Sequence, residues 1–534
     1  MSLLPRTRGG ALWRFTLAAI LVIGFAAGTT AVAGLLQVKD IVNDLNLTAP
    51  LKDARVTLPP PGAPETLLLI GSDHRAGQPY SWASTDTMML VRIDDSSSTI
   101  NVLSIPRDLA VMLPQGGVMT EQKLNAAYSI GGPNLLIKTL QTQVFPGLVV
   151  NHILDVNFKG FSDLIDAIGC VYSDVDHRYY NNTSLTDYSS IDIEPGYQRL
   201  CGDNQAITGA LAFVRFRHTD SDVVRNARQQ DFLRWTKDGY SADQLISNES
   251  KLLRIFGSEV QTDKSLHTTD GLIDLFDLVV NADGRTIKST PFPEYFGPCG
   301  GTNTQTPCYV FPIGMTAVGQ VTQPEERAYS RFITPTIAAP ASSSSAAPSG
   351  SAAKAKRSAS SYDGGLTPDP GDGKSQAAQL GNVGMPVLYP RLIQGPTENN
   401  PGGSEYCFSI TGNCDDPEEP ASEYDHSYPR KYLIHASDGA PHAAYVMTLV
   451  INSALGEYYT VQGTTWRDPP ILNGPKRVQT IDGRTLIESL DGGNIALVAF
   501  HTPHGLYWVS NTLANAIPNS QMIGMALSMT PASG

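Results

Sequence analysis

The sequence has little basic charge for its length. Lys and Arg together number 38, and Asp and Glu number 51, so the formal net charge is −13 over 534 residues. Proteins that bind nucleic acids in general carry a basic surface, and this charge balance argues against that class. No basic helix-turn-helix precedes Phe15, which argues against DNA regulation as well. Any basic site in this chain must therefore be local.

Cysteine is also scarce, and its spacing does not match the common zinc sites. The six cysteines contain no CxxC motif and no Cys/His cluster of zinc spacing. They fall instead into three pairs that are local in sequence: Cys170 with Cys201, Cys299 with Cys308, and Cys407 with Cys414. This pairing is the simplest of the fifteen that six cysteines allow, and the sequence alone does not fix it. Disulfides are typical of exported proteins.

Charged residues are missing from one long segment near the N-terminus. Three arginines lie in residues 1–14, and about 22 uncharged residues follow, from Phe15 to Leu36. That length spans a bilayer as a helix, and the arginines place residues 1–14 in the cytoplasm. The prediction is a single-pass protein of the cell membrane with the remainder extracytoplasmic. The alternative is a cleaved signal peptide, since "AVA" at 31–33 resembles a cleavage site.

Composition divides the rest of the chain into segments. Residues 37–64 are predicted to form a proline-containing juxtamembrane stalk. Apolar strands alternate with helical stretches over 65–295, which predicts an α/β domain with a mixed central sheet flanked by helices. An extension, 296–337, leads into a Ser- and Ala-rich segment, 338–380, that predicts a disordered linker. Residues 381–534 predict a smaller C-terminal α+β domain of unknown role.

The first domain opens with three predicted strands, near 66–71, 87–93 and 99–104, and a helix follows at 134–144. The segment "LAFVRFR", residues 211–217, predicts a further strand. Side chains two residues apart share one face of a strand, so Arg215 and Arg217 are expected side by side.

Polar residues stand where the predicted strands end. "LLLIGSDHR" presents Asp73 and Arg75 after a buried strand, "STDTMMLVRI" begins with Asp86, and "LSIPRD" ends with Arg107. If the turn at "DDSSS" reverses the chain, Asp86 and Arg107 reach the same end of a strand pair, where ligands of α/β sheets bind. The alternatives are an acid that caps its own turn at Asp73 and a surface ion pair at Arg107.

A denser basic cluster follows in "VRFRHTDSDVVRNARQQ". It contains Arg215, Arg217, Asp222, Arg225 and Gln229, the last two at a helical spacing of four. A charged helix face is often only solvated, but paired guanidinium groups on a strand need an anion nearby. In an acidic chain this local cluster indicates phosphate, which the arginine fork binds well.

The acids complement the arginines. Asp73 and Asp86 offer carboxylates for a hard divalent ion, Mg²⁺ or Mn²⁺, while the arginines hold phosphate oxygens. Magnesium commonly uses one or two carboxylates together with substrate phosphates. The sequence therefore predicts a magnesium-dependent site for a phosphate or pyrophosphate ester.

Six motifs in order carry a resemblance to a known family: "LLLIGSDHR", "STDTMMLVRID", "LSIPRD", "KLNAAYSIGGPNLL", "DVNFKGFSDLIDAIGCV" and "GALAFVRFRHTDSDVVRNARQQDFL". Over residues 65–240 the chain resembles the LytR-CpsA-Psr family of envelope proteins. The resemblance implies a membrane-anchored phosphotransferase that moves a glycopolymer from a polyprenyl pyrophosphate lipid to peptidoglycan through a phosphodiester.

The resemblance also implies roles for individual residues. Asp73 and Asp86 are expected to bind magnesium, and Asp222 to orient the nucleophile or the basic cluster. The expected pyrophosphate contacts are Arg107, Lys123, Arg215, Arg217, Arg225 and Gln229.

Two positions depart from the family pattern, and two other functions stay open. Ser84 stands where the family commonly has arginine, a contact that Arg75 could supply, and Cys170 stands where it usually has glycine. The alternatives to a transferase are a pyrophosphatase acting on the same lipid and a glycan-binding scaffold without catalysis.

Overall fold

A computed structural model of the chain describes two folded halves. The described residues are 50–51, 56–59, 63–74, 79–94, 99–181, 191–202, 208–216, 222–240, 244, 248–268, 270–271, 274–275, 278, 284–290, 292, 294–296, 310–312, 359–397, 400–407 and 428–532. The predicted membrane span, 15–36, lies outside these ranges, and so does the predicted tail 1–14. No helix within these ranges is long and apolar enough to cross a membrane.

The first half alternates strands and helices. Its strands are β1 (Glu65–Ser72), β2 (Thr85–Ile93), β3 (Thr99–Ser104), β4 (Ala110–Gln115), β5 (Val118–Lys123), β6 (His152–Asn157), β7 (Val171–Val175), β8 (Tyr179–Asn181), β9 (Ile191–Ile193), β10 (Gly196–Leu200), β11 (Val260–Thr262), β12 (Thr286–Thr290), β13 (Glu294–Phe296) and β14 (Val310–Pro312). Its helices are α1 (Asn125–Thr139), α2 (Phe158–Ala167), α3 (Ala210–Arg215), α4 (Asp222–Gly239) and α5 (Glu249–Glu259). The three opening strands were predictable and are confirmed.

The central sheet of this half is mixed, as predicted. Within the described residues its six strands run in the order β11-β6-β1-β2-β3-β12. The pairs β1–β6 and β3–β12 are parallel, whereas β1–β2, β2–β3 and β6–β11 are antiparallel. Short turns can join only antiparallel neighbours, so the hairpin β2–β3 and the longer parallel crossovers explain the mixture.

Apolar side chains cover both faces of this sheet. Leu68 and Ile70 point to the α1 side, where they form a core with Leu136 and Leu140. Leu67 belongs to a separate core on the other face, against which side chains of α2, α4 and α5 pack. Alternation along the strand therefore places helices on both faces, and the predicted α/β class is confirmed.

One predicted strand is a helix. Residues 210–215 form α3, so the prediction of a strand at 211–217, with Arg215 and Arg217 on one face, is wrong. Ala210, Leu211, Phe213 and Val214 are buried, which is the spacing of a helix rather than a strand. Arg217 itself lies outside the described residues.

The predicted disordered linker extends too far. Residues 338–358 lie outside the described residues, but 359–380 form a single-turn helix, a strand β15 (Leu366–Pro368) and a helix α6 (Asp372–Leu380). Tyr362 and Leu380 are buried in the C-terminal core. The few apolar residues of this stretch are thus enough to dock it onto a neighbouring surface, which composition alone does not reveal.

The C-terminal half is built around a large antiparallel sheet. Its further strands are β16 (Leu388–Pro390), β17 (Leu392–Gln394), β18 (Glu405–Tyr406), β19 (Arg430–His435), β20 (Pro441–Asn452), β21 (Glu457–Thr464), β22 (Lys476–Ile481), β23 (Arg484–Asp491), β24 (Asn494–Thr502), β25 (Gly505–Ser510) and β26 (Met529–Pro531). The described part of this sheet has the order β18-β20-β21-β25-β24-β23-β22, with β19 also on β20. With α6 and α7 (Asn519–Ser528) against it, the predicted α+β class is confirmed.

One of the simple cysteine pairings is present. Cys170 and Cys201 form a disulfide that joins the turn after α2 to the end of β10. Cys170 has a φ of 70°, a conformation that favours glycine, so cysteine here occupies a glycine-like backbone position. Cys407 is also disulfide-bonded, and its partner lies outside the described residues. Cys299, Cys308 and Cys414 lie outside the described residues as well.

The two halves share a hydrophobic core. Val171, Tyr197 and Trp235 of the first half pack with Leu497 and Trp508 of the C-terminal half in one buried cluster. Hydrogen bonds cross the same boundary, including those from Tyr197 N to Tyr432 Oη at 2.7 Å and to Gln462 Oε1 at 3.1 Å. The C-terminal half is thus an integral part of the folded unit.

Candidate active site

The two predicted magnesium ligands lie at one edge of the central sheet. Ser72 at the end of β1 pairs with Thr85 at the start of β2, so Asp73 and Asp86 leave neighbouring strands side by side. Asp73 is exposed, and its Oδ1 accepts a hydrogen bond from Ser84 N at 2.5 Å. Asp73 N donates to Ser84 O at 3.2 Å. The backbone of Ser84 therefore holds Asp73 in place.

The hairpin β2–β3 brings Arg107 to Asp86. Met89 pairs with Ser104, and Ile105 N donates to Met88 O at 2.8 Å, so the chain leaves β3 beside the start of β2. Arg107 Nη1 donates to Asp86 Oδ1 at 2.5 Å. The expected proximity of these two residues is confirmed. Each of the two side chains is 22% exposed, which leaves room for a ligand.

Arg215 approaches the same carboxylate from the end of α3. Its Nε lies 3.5 Å from Asp86 Oδ2, and its guanidinium lies over the ring of Phe158 at 4.1 Å. Aromatic faces attract guanidinium groups, so Phe158 holds Arg215 in this orientation. Two arginines from distant segments thus meet on one aspartate.

Helix α4 places two predicted site residues behind this cluster. Arg225 and Gln229 are buried, at 2% and 6% exposure. Gln229 Nε2 donates to Thr87 Oγ1 at 2.9 Å and to Val214 O at 3.0 Å, so it ties the start of β2 to α3. Gln229 Oε1 is buried and has no hydrogen-bond partner among the described residues. An acceptor in this position suits a hydroxyl group rather than a phosphate oxygen.

Lys123 reaches the cluster indirectly. Its Nζ lies 3.0 Å from Asp108 Oδ1, and Asp108 in turn lies 3.8 Å from Arg107 Nε. The Asp108 side chain is 6% exposed and the Lys123 side chain 29%, so the ammonium group borders solvent next to the site. Asp222 begins α4, but the structure describes only its backbone, and Arg75 lies outside the described residues.

Sequence reasoning missed a buried carboxylate beside the site. Asp155 on β6 accepts hydrogen bonds from Ser72 Oγ at 2.6 Å and from Tyr128 Oη. Burial raises the pKa of Asp155, although the hydrogen bonds act in the opposite direction. An acid inside the apolar strand "HILDVN" is the signal that could have found it. Asp155 holds Ser72, the residue before Asp73, and so fixes the end of β1.

The donor set at the sheet edge fits a divalent ion bound together with phosphate. Asp73 is exposed after β1, and Asp86 is half-buried at the start of the paired strand β2, which provides two carboxylates near the strand ends where the arginines meet. Within the described residues the Cys170–Cys201 disulfide and Asp166 bring three possible ligand atoms within 4.8 Å of one another, but the sulfur atoms are bonded to each other and are not metal ligands. Two carboxylates with phosphate oxygens match magnesium coordination.

Comparison with known proteins finds one matching family and several curated relatives. The model of the LytR_cpsA_psr family matches residues 37–322. The polyisoprenyl-teichoic acid–peptidoglycan teichoic acid transferase TagU of Oceanobacillus iheyensis is 31% identical over 238 residues, 42% of this chain and 68% of the relative. The corresponding transferase TagV of Bacillus subtilis is 28% identical over 239 residues, 44% of this chain and 59% of the relative.

The similarity is partial on both sides. The chain spans about half to two thirds of the length of the curated relatives it matches. The crystal structure of B. subtilis TagV is similar at 22% identity with a TM-score of 0.38, covering 51% of this chain and 96% of TagV.

Proposed function

The chain belongs to the LytR-CpsA-Psr family, and on that premise we propose that it is a phosphotransferase that moves a glycopolymer from a polyprenyl pyrophosphate carrier to peptidoglycan. The observation that carries the proposal is the convergence of Arg107 and Arg215 on Asp86 beside the exposed Asp73. Arginines bind phosphate oxygens in bidentate geometry, and this cluster is local in an otherwise acidic chain. The names of the relatives TagU and TagV agree with a transfer to peptidoglycan.

The reaction would be a substitution at phosphorus. A sugar hydroxyl of peptidoglycan forms the new P–O bond to the glycan phosphate, the bond to polyprenyl phosphate breaks, and the hydroxyl proton passes to a base or to water. Arg107 and Arg215 would bind the phosphate oxygens that gain charge, and Asp86 would keep both guanidinium groups aligned before the substrate arrives. Gln229 Oε1 is an acceptor that could receive the hydrogen bond of the attacking hydroxyl.

Magnesium is part of the proposal. Asp73 and Asp86 would hold the ion, which when bound supplies positive charge at the phosphate oxygens. Lys123, Arg225, Arg75 and Arg217 are proposed as further contacts for the pyrophosphate, and Asp222 as a residue that orients the nucleophile or the basic cluster. Manganese would serve in place of magnesium.

Membrane attachment completes the proposal. The uncharged run from Phe15 to Leu36 would anchor the chain, with the arginines of residues 1–14 on the cytoplasmic side. The catalytic half would then lie outside the cell membrane, where the lipid carrier presents its glycan and peptidoglycan is assembled. The glycopolymer itself is proposed only by class, as a glycan on a polyprenyl pyrophosphate.

A reconstituted reaction tests this function. The full chain in detergent is incubated with lipid-linked glycan, Mg²⁺ and peptidoglycan, and the products are separated by mass spectrometry. We expect glycan attached through a phosphodiester with the wild type and none with Arg107→Ala. Free phosphorylated glycan without an attached product would identify a pyrophosphatase instead. Binding of the glycan without turnover, unchanged in Arg107→Ala, would favour a scaffold.

A further inference from the structure

A stack of side chains crosses from the C-terminal half into the first half. Tyr458 lies at the start of β21, and its ring lies 4.1 Å from the ring of His177 with an interplanar angle of 19°. His177 in turn lies 4.2 Å from Tyr179. All three side chains are buried, with exposures of 6%, 6% and 0% in that order. Buried rings in contact leave little freedom to shift independently of one another.

The stack continues onto a buried arginine of α4. The guanidinium of Arg228 lies 4.6 Å from the centre of the Tyr179 ring and 5.5 Å from that of Phe216. Arg228 is 0% exposed, and its Nη2 donates a hydrogen bond to the carbonyl of Phe216. Phe216 directly follows Arg215. Arg228 therefore fixes the backbone at the end of α3, next to Arg215, the arginine that contacts Asp86.

A second contact from the same strand end touches α4 directly. Gly456, two residues before Tyr458, has a φ of 62°. A Cβ added at Gly456 would lie 2.5 Å from Cγ1 of Val224, so the backbone of the C-terminal half packs tightly against the start of α4. Val224 directly precedes Arg225. Both arginine-bearing segments of the first half, α3 and α4, are thus supported from residues 456–458.

We propose that the C-terminal half positions the arginine cluster of the active site through Tyr458 and Gly456, so that Tyr458 and Arg228 are positioning residues for pyrophosphate binding. The inference rests on the proposed function of the Asp86 cluster. It assigns a role to a half that lies beyond residue 322, where the match to the family model ends. The C-terminal half would act by holding Arg215 and Arg225 in place rather than by contacting substrate.

The test compares two tyrosine-to-alanine substitutions in the full chain. Tyr458→Ala removes the ring that faces His177, and Tyr458→Phe keeps it. Tyr507→Ala is the matched control, because Tyr507 is a buried tyrosine of the same half that stacks on Phe500 within the C-terminal core. The probe is geranylgeranyl pyrophosphate, whose binding is measured by calorimetry. Hydrogen exchange of residues 208–240 is followed in the same samples.

The expected pattern separates positioning from stability. Tyr458→Ala should weaken binding of the probe on the order of tenfold, since a small displacement of a binding group is costly. It should also speed exchange in 208–240, while Tyr458→Phe restores both. Tyr507→Ala should lower the melting temperature with probe binding and local exchange unchanged.

Other results would overturn one proposal or the other. If Tyr458→Ala and Tyr507→Ala leave exchange in 208–240 equally unchanged, the C-terminal half does not position the cluster. If Tyr458→Ala speeds exchange in 208–240 but the wild type does not bind the probe, the proposed function of the site fails. The support of α3 and α4 by the C-terminal half would then still stand. Equal loss of probe binding in both variants would reduce the effect to general stability and contradict the positioning role.

Discussion

Arg107 Nη1 lies 2.5 Å from Asp86 Oδ1, and the other oxygen of the same carboxylate lies 3.5 Å from Arg215 Nε. One acid therefore aligns two guanidinium groups that arrive from β3 and α3. Such an arrangement is already assembled before a ligand enters, so its arginines need little reorganisation to bind an anion.

Replacing Asp86 by asparagine should separate metal use from phosphate binding. Asp86→Asn keeps an oxygen that can accept a hydrogen bond from Arg107 but removes the negative charge that repels phosphate. Binding of geranylgeranyl pyrophosphate without Mg²⁺ should therefore not weaken. The transfer rate with Mg²⁺ should fall by about 100-fold, because the ion loses a ligand and no longer stabilises the charge on the phosphate oxygens. Rates measured over a range of Mg²⁺ concentrations check this. Wild-type Mg²⁺ dependence in the variant would contradict the assignment of Asp86, and Asp438→Asn in an exposed turn is the control.

Two neighbouring glutamines of α4 form a matched pair. Gln229 Nε2 donates hydrogen bonds to Thr87 and Val214, whereas Gln230 Nε2 donates one to Ser104 Oγ at 3.0 Å. Replacing either by methionine removes buried hydrogen bonds and should cost about 1–2 kcal/mol of unfolding free energy. Only Gln229→Met should weaken pyrophosphate binding, since only Gln229 links β2 to α3. Equal affinities of the two variants in calorimetry would contradict this linking role of Gln229 in pyrophosphate binding.

The disulfide between Cys170 and Cys201 should contribute measurable stability. Its cysteines are 31 residues apart in sequence, and closing a loop of that length lowers the entropy of the unfolded chain. Cys170→Ser with Cys201→Ser should lose about 3–4 kcal/mol of unfolding free energy on that model. Denaturant unfolding of the variant with the other cysteines oxidised measures the loss. An unchanged midpoint would indicate that the loop is already ordered in the unfolded chain.

The contact between the two halves should depend on pH through Asp174. Asp174 accepts a hydrogen bond from Trp508 Nε1 at 3.2 Å and others from Ser510 and Gln462. Burial raises the pKa of this carboxyl to about 6, although the three hydrogen bonds lower it. The ordinary pKa of an aspartic acid in the unfolded chain is about 3.9. The folded protein therefore binds the proton more tightly than the unfolded chain does.

The sign of the effect follows from that difference. The stabilisation by protonated Asp174 is fully present below about pH 3.9 and is lost as pH rises through about 6. The loss amounts to about 3 kcal/mol, and Asp174→Asn should not show it. Unfolding free energies of both proteins between pH 4 and 7 test this, with Asp438→Asn as a surface control. A parallel pH dependence in the wild type and Asp174→Asn would contradict the assignment.

The sequence predicts part of this site because some of its relationships are local. A hairpin with a polar turn brings its two ends together, so the meeting of Asp86 and Arg107 is expected from sequence. The helix at 210–215 is not, since six mostly apolar residues fit a strand as readily as a helix. The stack of Tyr458 on His177 joins residues far apart in the chain, and no local pattern indicates such a contact.

The most direct test of the central claim is a crystal structure of the full chain with geranylgeranyl pyrophosphate and Mn²⁺. The account predicts an anomalous manganese peak coordinated by Asp73 and Asp86. It also predicts pyrophosphate oxygens within hydrogen-bond distance of Arg107 and Arg215. Two results at saturating ligand would contradict it: a pyrophosphate bound away from these arginines, or a manganese peak that neither aspartate coordinates.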